Sequence, residues 1–176
     1  MTTEKVVLVD KNDMETGTME KIEAHKKGVL HRAFSVFLVN SRGELLLQRR
    51  AAGKYHSPGL WTNTCCSHPR PGEDVEAAAK RRLYEEMGMD GLLHKSFSFI
   101  YRAEFDNGLT EHEFDHVFIG ISDEEPLPDR DEVDGFIYAD LDELDEDMKA
   151  NPGKYTVWFL IAYPKVKERL RELVGK

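Results

Sequence analysis

Residues 67–89 read SHPRPGEDVEAAAKRRLYEEMGM, and from Val75 onward apolar side chains recur at the spacing of a helix. The residues that share one helical face are Val75, Ala79, Leu83 and Met87. Because residues four apart lie on the same face, this stripe predicts a helix over Glu73–Met89. The prolines and the glycine just before it predict a loop, and Gly88 predicts the end of the helix.

Charged residues on this predicted helix have two interpretations. Arg82 and Glu86 are i, i+4 neighbours, and as an exposed pair they would stabilise the helix by only about 0.2–0.5 kcal/mol. Alternatively, the glutamates bind Mg²⁺ together with a polyphosphate, because Mg²⁺ prefers a few carboxylates and substrate oxygens. Basic residues of this acidic chain would then contact the phosphates. The candidates are Lys21, Arg50, Lys54 and Arg82.

Both cysteines of the chain, Cys65 and Cys66, lie in the segment Asn63–Pro69, just ahead of His68. We predict an active-site turn here. Adjacent cysteines form a disulfide only with backbone strain, and there is no third cysteine to pair with either. A free thiol near a histidine is suited to nucleophilic, acid/base or metal chemistry. The alternative is that both cysteines are small buried apolar residues.

The rest of the chain contains predicted strands and helices in an order typical of one α/β (α+β) domain spanning residues 1–176. The predicted strands are Lys5–Val9, His31–Val39, Glu44–Gln48, Leu92–Glu104, Glu111–Ile121 and Phe136–Ala139. Two more helices are predicted over Leu141–Met148 and Thr156–Val174. The predicted loops are Arg49–Thr62 and an acidic, solvated segment, Asp123–Asp134.

Several histidines and carboxylates lie in segments that could converge in the fold. They are His25, His31, His68, Glu111 and Glu113. Imidazoles together with carboxylates suit a divalent transition metal or manganese. Spacing alone is weak evidence for such a site, and the alternative is solvated polar residues, with the two glutamates on an exposed strand face.

Charge and hydropathy exclude some classes of protein. With 24 basic and 33 acidic side chains the net charge is −9, which argues against general nucleic-acid binding. No apolar run approaches the roughly 18 residues that a membrane span needs. The first ten residues lack signal-peptide architecture, and two cysteines without a disulfide framework favour a reducing compartment. We therefore expect a cytoplasmic chain.

Residues 67–89 also resemble the Nudix box, a loop-helix-loop that binds metal and diphosphate. The resemblance rests on Glu73, Arg81, Leu83, Glu85, Glu86 and Gly88. Two positions depart from the pattern, since the box opens with glycine where this chain has Ser67, and its arginine is followed by glutamate where this chain has Arg82. The resemblance implies a Nudix fold, with a mixed β-sheet sandwiched between helices. The missing glutamate argues against ordinary pyrophosphate hydrolysis.

Other segments look like the type 1 isopentenyl-diphosphate isomerases of the Nudix superfamily. They are Ala24–His25, Leu30–Ser35, Trp61–Pro69, Tyr101–Ala103 and Glu111–Glu113. This resemblance implies an isomerase of isoprenoid biosynthesis that converts isopentenyl diphosphate to dimethylallyl diphosphate through a tertiary carbocation. It also implies an N-terminal extension, residues 1–30, that closes over the site. Isopentenyl diphosphate is then the expected partner of a monomer or homodimer, with no nucleic acid or membrane.

The same resemblance implies roles for individual residues. One divalent ion, Mn²⁺, Mg²⁺ or Zn²⁺, is expected to bind the five residues His25, His31, His68, Glu111 and Glu113. Glu86 is expected to help hold a Mg²⁺ on the substrate diphosphate. Cys66 and Glu113 are the expected catalytic pair, and Tyr101 the hydrogen-bond partner of the glutamate. Trp158 and Trp61 are candidates to face the carbocation, although Trp61 could equally be a core aromatic. Cys65 is expected to be structural.

Two rival functions remain. A nucleoside-diphosphate hydrolase is disfavoured by Arg82, and it gives no role to Cys66 or to the pair Glu111 and Glu113. A non-catalytic metal-binding or redox module would use the cysteine turn without turnover. Assays for the isomerised product and for released phosphate distinguish these readings.

Overall fold

The structure, a computed structural model, describes residues 3–54 and 56–173. Residues 1, 2, 55 and 174–176 of the predicted domain, and with them the end of the predicted helix Thr156–Val174, lie outside this part. The described strands are β1 Lys5–Val9, β2 Glu15–Glu20, β3 His31–Val39, β4 Leu45–Arg50, β5 Trp61–Thr62, β6 Cys65–Ser67, β7 His94–Glu104, β8 Thr110–Ile121 and β9 Val133–Ala139. The described α-helices are α1 Lys21–Lys27, α2 Val75–Met87, α3 Leu141–Ala150 and α4 Val157–Leu173. None of these helices combines the length and the apolar character needed to cross a membrane.

The described strands form one mixed sheet centred on β3. This strand is antiparallel to β1, β4 and β6 and parallel to β8. β2 pairs with β1, β7 pairs with β8, and both β5 and β9 pair with β4. Because other strands pair with both edges of β3, every residue of this strand except Arg32 is buried. Side chains from several strands therefore meet around β3.

Helices cover both faces of the sheet, because successive β3 side chains point to opposite sides. Phe37 and Val39 face one core, which α3 and α4 complete. Phe34, Val36 and Leu38 face the other core, which α2 completes. The predicted mixed sheet sandwiched between helices is confirmed.

The helix that follows the loop of residues 67–72 has a defined start and end. Asp74 precedes α2, and its carboxylate accepts a hydrogen bond from the Ala77 N–H at 3.1 Å. Gly88 ends the helix in the left-handed region, with φ of 64°, and a Cβ there would lie 2.6 Å from the Leu127 carbonyl oxygen. Glu73 was predicted to begin the helix. It instead lies before it, where its carboxylate binds the Arg81 guanidinium.

Two sequence predictions about local structure are wrong in part. The segment Asn63–Pro69 was predicted as a turn, but its centre is β6, which pairs with β3. The predicted loop Arg49–Thr62 begins inside β4 and ends in β5. Both errors have one cause, since short strands are stabilised by partners far away in the chain and carry little local signal. β2 and α1 were not predicted at all.

Candidate active site

Neighbouring strands place three side chains of the candidate site side by side. His31 on β3 is in register with Glu113 on β8, and Glu113 is in register with Tyr101 on β7. Residues in register on adjacent strands project to the same face of a sheet. Sheet pairing thus brings together residues that are distant in the sequence.

A cluster of histidines and glutamates forms around this row. Its members are His25 from α1, His31, His68 from the segment after β6, and Glu111 and Glu113 from β8. One potential ligand atom from each lies within 4.8 Å of all the others, and all five residues are buried. The predicted convergence of these five residues is confirmed.

The donors of the cluster fit a divalent cation. Glu111 Oε2 lies 3.3 Å from His25 Nε2 and 4.0 Å from His31 Nε2. This oxygen is buried and accepts no hydrogen bond from the described residues. A buried carboxylate oxygen is costly unless a hydrogen bond or a cation compensates it. Three imidazoles and two carboxylates are ligands that Mn²⁺ and Zn²⁺ accept, so the residues present fit such an ion.

Burial and mutual contacts set the protonation of the cluster. Burial disfavours the charged form of Glu111, yet its contacts with Glu113, His25 and His56 lower its pKa well below the usual value. Burial also opposes the charged form of His25, but Glu111 raises its pKa. For His68 burial prevails and lowers the pKa, although Glu113 lies beside it. The cluster therefore favours an ionised Glu111.

Glu113 connects this cluster to the pocket. Its Oε2 lies 2.8 Å from His68 Nε2 and 3.4 Å from His31 Nε2. Its Oε1 accepts a hydrogen bond of 2.7 Å from the Tyr101 hydroxyl. Burial, together with Glu113, raises the pKa of Tyr101 well above the usual value, so the phenol keeps its proton. The two oxygens of Glu113 thus have different surroundings.

The two cysteines differ because they are neighbours on a strand and point to opposite faces. Cys65 lies in the core beside α2, with Sγ 3.5 Å from Glu86 Oε2. Cys66 lines the same pocket as Glu113. Burial raises the pKa of the Cys66 thiol, although Arg50 acts in the opposite direction. Cys66 is therefore a neutral thiol at the pocket wall.

The four predicted phosphate contacts lie together in one pocket. Lys21, Arg50, Lys54 and Arg82 all line the pocket. Three of these cations contact glutamates: Lys21 contacts Glu4 at 2.9 Å, Lys54 contacts Glu132, and Arg82 contacts Glu86 at 2.9 Å. The pocket is thus lined by both acidic and basic side chains.

The remaining candidates differ in position. Trp158 is buried and lines the pocket, and the Arg50 guanidinium lies over its ring, 5.3 Å from the ring centroid. Trp61 is half-buried and packs against the core of α3 and α4, and it is not among the lining residues. Glu86 is buried but is not one of the residues that line the pocket. Its carboxylate accepts hydrogen bonds from the Gln48 and Arg82 side chains.

Sequence reasoning missed three residues near the site. His56, in the predicted loop, contacts Glu111. Glu132, in the segment predicted to be solvated, contacts Lys54 and Arg82. Asp115 lies two residues after Glu113 on β8, is buried, and accepts a hydrogen bond from the Ser35 hydroxyl. Burial raises the pKa of Asp115 well above the usual value. The sequence does contain a signal for Asp115, because Glu111, Glu113 and Asp115 alternate along one strand and so share a face.

Curated relatives resemble the chain over most of its length. An isopentenyl-diphosphate Delta-isomerase of Pectobacterium atrosepticum is 52% identical and covers 93% of this chain and 92% of its own. The isopentenyl-diphosphate Delta-isomerase 2 of Photorhabdus laumondii is 55% identical, over 89% of this chain and 88% of its own. An isopentenyl-diphosphate Delta-isomerase of Aliivibrio fischeri is 46% identical, over 97% and 99%.

Family and fold comparisons agree with these relatives. The NUDIX domain family matches residues 29–159. The solved structure of DR0079 from Deinococcus radiodurans has a TM-score of 0.70 at 22% identity, over 84% of this chain and 90% of its own. The MutT protein from Methanosarcina mazei Go1 has a TM-score of 0.64 at 17% identity, over 84% and 96%. Identities this low show the fold alone. The curated relatives have about half of their residues identical to this chain over most of its length. The chain therefore belongs to the isopentenyl-diphosphate Delta-isomerase family of NUDIX domain proteins.

Proposed function

We propose that this chain converts isopentenyl diphosphate to dimethylallyl diphosphate, and that Cys66 and Glu113 carry the two proton transfers. One observation carries the proposal: a single pocket is lined by both of these groups, by Tyr101, and by cations suited to a diphosphate. The relatives named isopentenyl-diphosphate Delta-isomerase, at about half identity over most of the chain, support the same reaction.

The reaction needs an acid and a base but no net change in atoms. A proton adds to C4 of the C3=C4 double bond, which leaves a tertiary carbocation at C3. A different proton then leaves C2, and its bonding electrons form the C2=C3 double bond. Two proton-transfer groups must therefore flank the same carbon chain.

The surroundings of Cys66 and Glu113 suit these roles. Burial raises the pKa of Cys66, so Sγ holds a proton at neutral pH. The Tyr101 hydroxyl donates to Glu113 Oε1 at 2.7 Å and orients that oxygen. An alkene is a weak base, so a closely positioned acid in a water-poor pocket is required.

Trp158 is the residue that we propose to face the carbocation. It lines the pocket, and its ring already has the Arg50 guanidinium over it. An indole face attracts positive charge but offers no nucleophile that would trap a carbocation. Trp61 packs on the core instead, so the core-aromatic interpretation suits it better.

Two divalent ions complete the proposed site. His25, His31, His68, Glu111 and Glu113 would hold Mn²⁺, Mg²⁺ or Zn²⁺. An ion there would supply the positive charge that keeps two buried carboxylates ionised side by side. Glu86 would help hold a Mg²⁺ that neutralises the substrate diphosphate, and for this the Arg82 guanidinium would have to release its carboxylate.

Some finer features are also proposals. We propose that the predicted N-terminal extension closes over the site through its described part, residues 3–30, supported by Glu4 and Lys21 at the pocket and His25 in the cluster. A reducing, cytoplasmic location is supported by two free cysteines. We propose a monomer or a homodimer that acts in isoprenoid biosynthesis without nucleic acid.

The test is NMR of isopentenyl diphosphate incubated with the chain and Mg²⁺ in D₂O. Dimethylallyl diphosphate should form with deuterium in its new methyl group. Cys66→Ala and Glu113→Gln should each lower turnover by about 10²-fold or more, with circular dichroism unchanged. Cys65→Ala is the matched control, because it removes the neighbouring thiol from the opposite face.

Two results would contradict the proposal. One is wild-type turnover in Cys66→Ala or Glu113→Gln. The other is release of phosphate without any allylic product, which would favour a hydrolase.

A further inference from the structure

His56 lies against the metal cluster, although the predicted ligand set does not include it. It belongs to the segment between β4 and β5, and only 4% of its surface is exposed. The Arg50 guanidinium donates a hydrogen bond of 3.1 Å to its carbonyl oxygen. The backbone next to the ring is therefore tied to a buried side chain.

One side of the His56 ring meets Glu111. Nε2 lies 2.5 Å from Glu111 Oε1. Glu111 Oε2 is directed instead toward His25, at 3.3 Å from Nε2. The two carboxylate oxygens are thus divided, with Oε1 toward His56 and Oε2 toward the cluster.

Two aromatic residues contact the His56 ring. Phe105 stacks on it with ring centroids 4.9 Å apart and an interplanar angle of 2°. Trp158 meets it edge to face, with centroids 5.5 Å apart at 83°. Such contacts fix the mutual orientation of rings. His56 therefore joins the carboxylate of a proposed metal ligand to the indole of the proposed carbocation face.

We propose that His56 is a positioning residue that fixes Glu111 through Oε1, so that Oε2 serves the metal, and that its ring sets the plane of Trp158. The proposal rests on the proposed metal site. A carboxylate turns about its terminal bond and could present either oxygen, whereas a partner on one oxygen selects the other. Outer partners of metal ligands typically contribute about 10- to 100-fold to metal affinity.

Two substitutions separate the two roles. His56→Phe keeps an aromatic ring against Phe105 and Trp158 but removes the contact to Glu111. His56→Gln keeps a side-chain N–H within reach of Glu111 but removes the ring. His94→Ala is the matched control, because His94 is exposed at the start of β7, far along the strand from Tyr101.

Two measurements are made on the full chain. The first is Mn²⁺ affinity without substrate, by competition with a chelator. The second is steady-state kinetics with isopentenyl diphosphate, which gives kcat and KM separately at each of several increasing Mn²⁺ concentrations. His56→Phe should bind Mn²⁺ about tenfold more weakly and regain turnover in excess Mn²⁺. His56→Gln should bind Mn²⁺ within about threefold of wild type and show a reduced kcat at every Mn²⁺ concentration, with KM nearly unchanged.

Specific outcomes overturn the proposal. Wild-type Mn²⁺ affinity in His56→Phe would exclude the positioning of Glu111, and wild-type kcat in His56→Gln would exclude the positioning of Trp158. If His56→Phe does not fold by circular dichroism, His56→Leu takes its place as the variant without a donor. A wild-type chain that isomerises without binding Mn²⁺ would overturn this inference alone. One that binds Mn²⁺ but yields no dimethylallyl diphosphate would overturn the proposed function alone.

Discussion

Glu113 has a different partner on each of its two oxygens. Oε2 faces His68 and His31, whereas Oε1 accepts the hydrogen bond of the Tyr101 hydroxyl. In the proposed mechanism, the candidate metal cluster and the reacting carbons therefore share one carboxylate. A single residue thus connects the histidine and glutamate cluster to Tyr101 at the pocket wall.

Tyr101→Phe removes only the hydroxyl that orients Glu113. A hydrogen bond to a charged group contributes about 1.5–3 kcal/mol, so kcat should fall about 10- to 100-fold, while KM for isopentenyl diphosphate stays within about threefold. Steady-state kinetics measure both constants. Tyr84→Phe is the control, because Tyr84 is exposed on α2. A purely increased KM would show that Tyr101 binds substrate and does not orient the carboxylate.

Cys66 should react slowly with thiol reagents in the folded chain. Burial raises its pKa above the usual value, so at any pH the reactive thiolate is a smaller fraction than in a free cysteine. Labelling of a Cys65→Ala variant isolates the Cys66 signal. Its rate should stay low from about pH 7 to 9 and should rise strongly in denaturant. Rapid labelling of the folded chain with a midpoint at or below the ordinary pKa would contradict this prediction.

Among the elements, α2 shows what local sequence can predict. The stripe of Ala79, Leu83 and Met87 lies in the core as predicted, and the helix ends at Gly88 as predicted. Such signals act within a few residues, so a sequence pattern contains them. β6 shows the opposite case, because Cys65–Ser67 becomes a strand only by pairing with β3.

The candidate site, like β6, depends on contacts between segments that are far apart in the chain. The candidate ligand residues were proposed from their residue types, and only the resemblance to a family assigned them to one ion, since spacing cannot show that α1 lies against β8. His56 and Glu132 were missed because their partners, Glu111 and Arg82, come from distant segments. Glu132 was assigned to a solvated loop, but the pairing of β4 with β9 carries it to the pocket.

Gly88→Ala tests the C-terminal end of α2. The residue has positive φ, and a Cβ would lie 2.6 Å from the Leu127 carbonyl oxygen. Gly72 also has positive φ, of 80°, but open space around it. Gly72→Ala should therefore lower the free energy of unfolding by about 1–2 kcal/mol, and Gly88→Ala by more. Denaturant unfolding measures both, and equal losses would show that the contact with Leu127 is unimportant.

At the scale of the whole molecule, the candidate metal cluster joins elements that are far apart in the chain. His25 comes from α1, His31 from β3 and Glu111 from β8. An ion bound there would tie the N-terminal segment to the central sheet. α2 contributes no residue to this cluster, so it serves as an internal reference.

Removing the metal should therefore loosen one region preferentially. A ligand at 100 times its Kd stabilises the state that binds it by about 2.7 kcal/mol, or roughly 100-fold in an opening equilibrium. Hydrogen exchange with Mn²⁺ and with excess chelator should differ by up to about this factor in residues 21–31, and little in α2 unless the whole chain unfolds. His31→Ala is the control, because the difference should vanish once a ligand is lost. An equal change in α2 and in residues 21–31 would mean that the ion stabilises the fold globally, and that closure of the N-terminal segment does not depend on it.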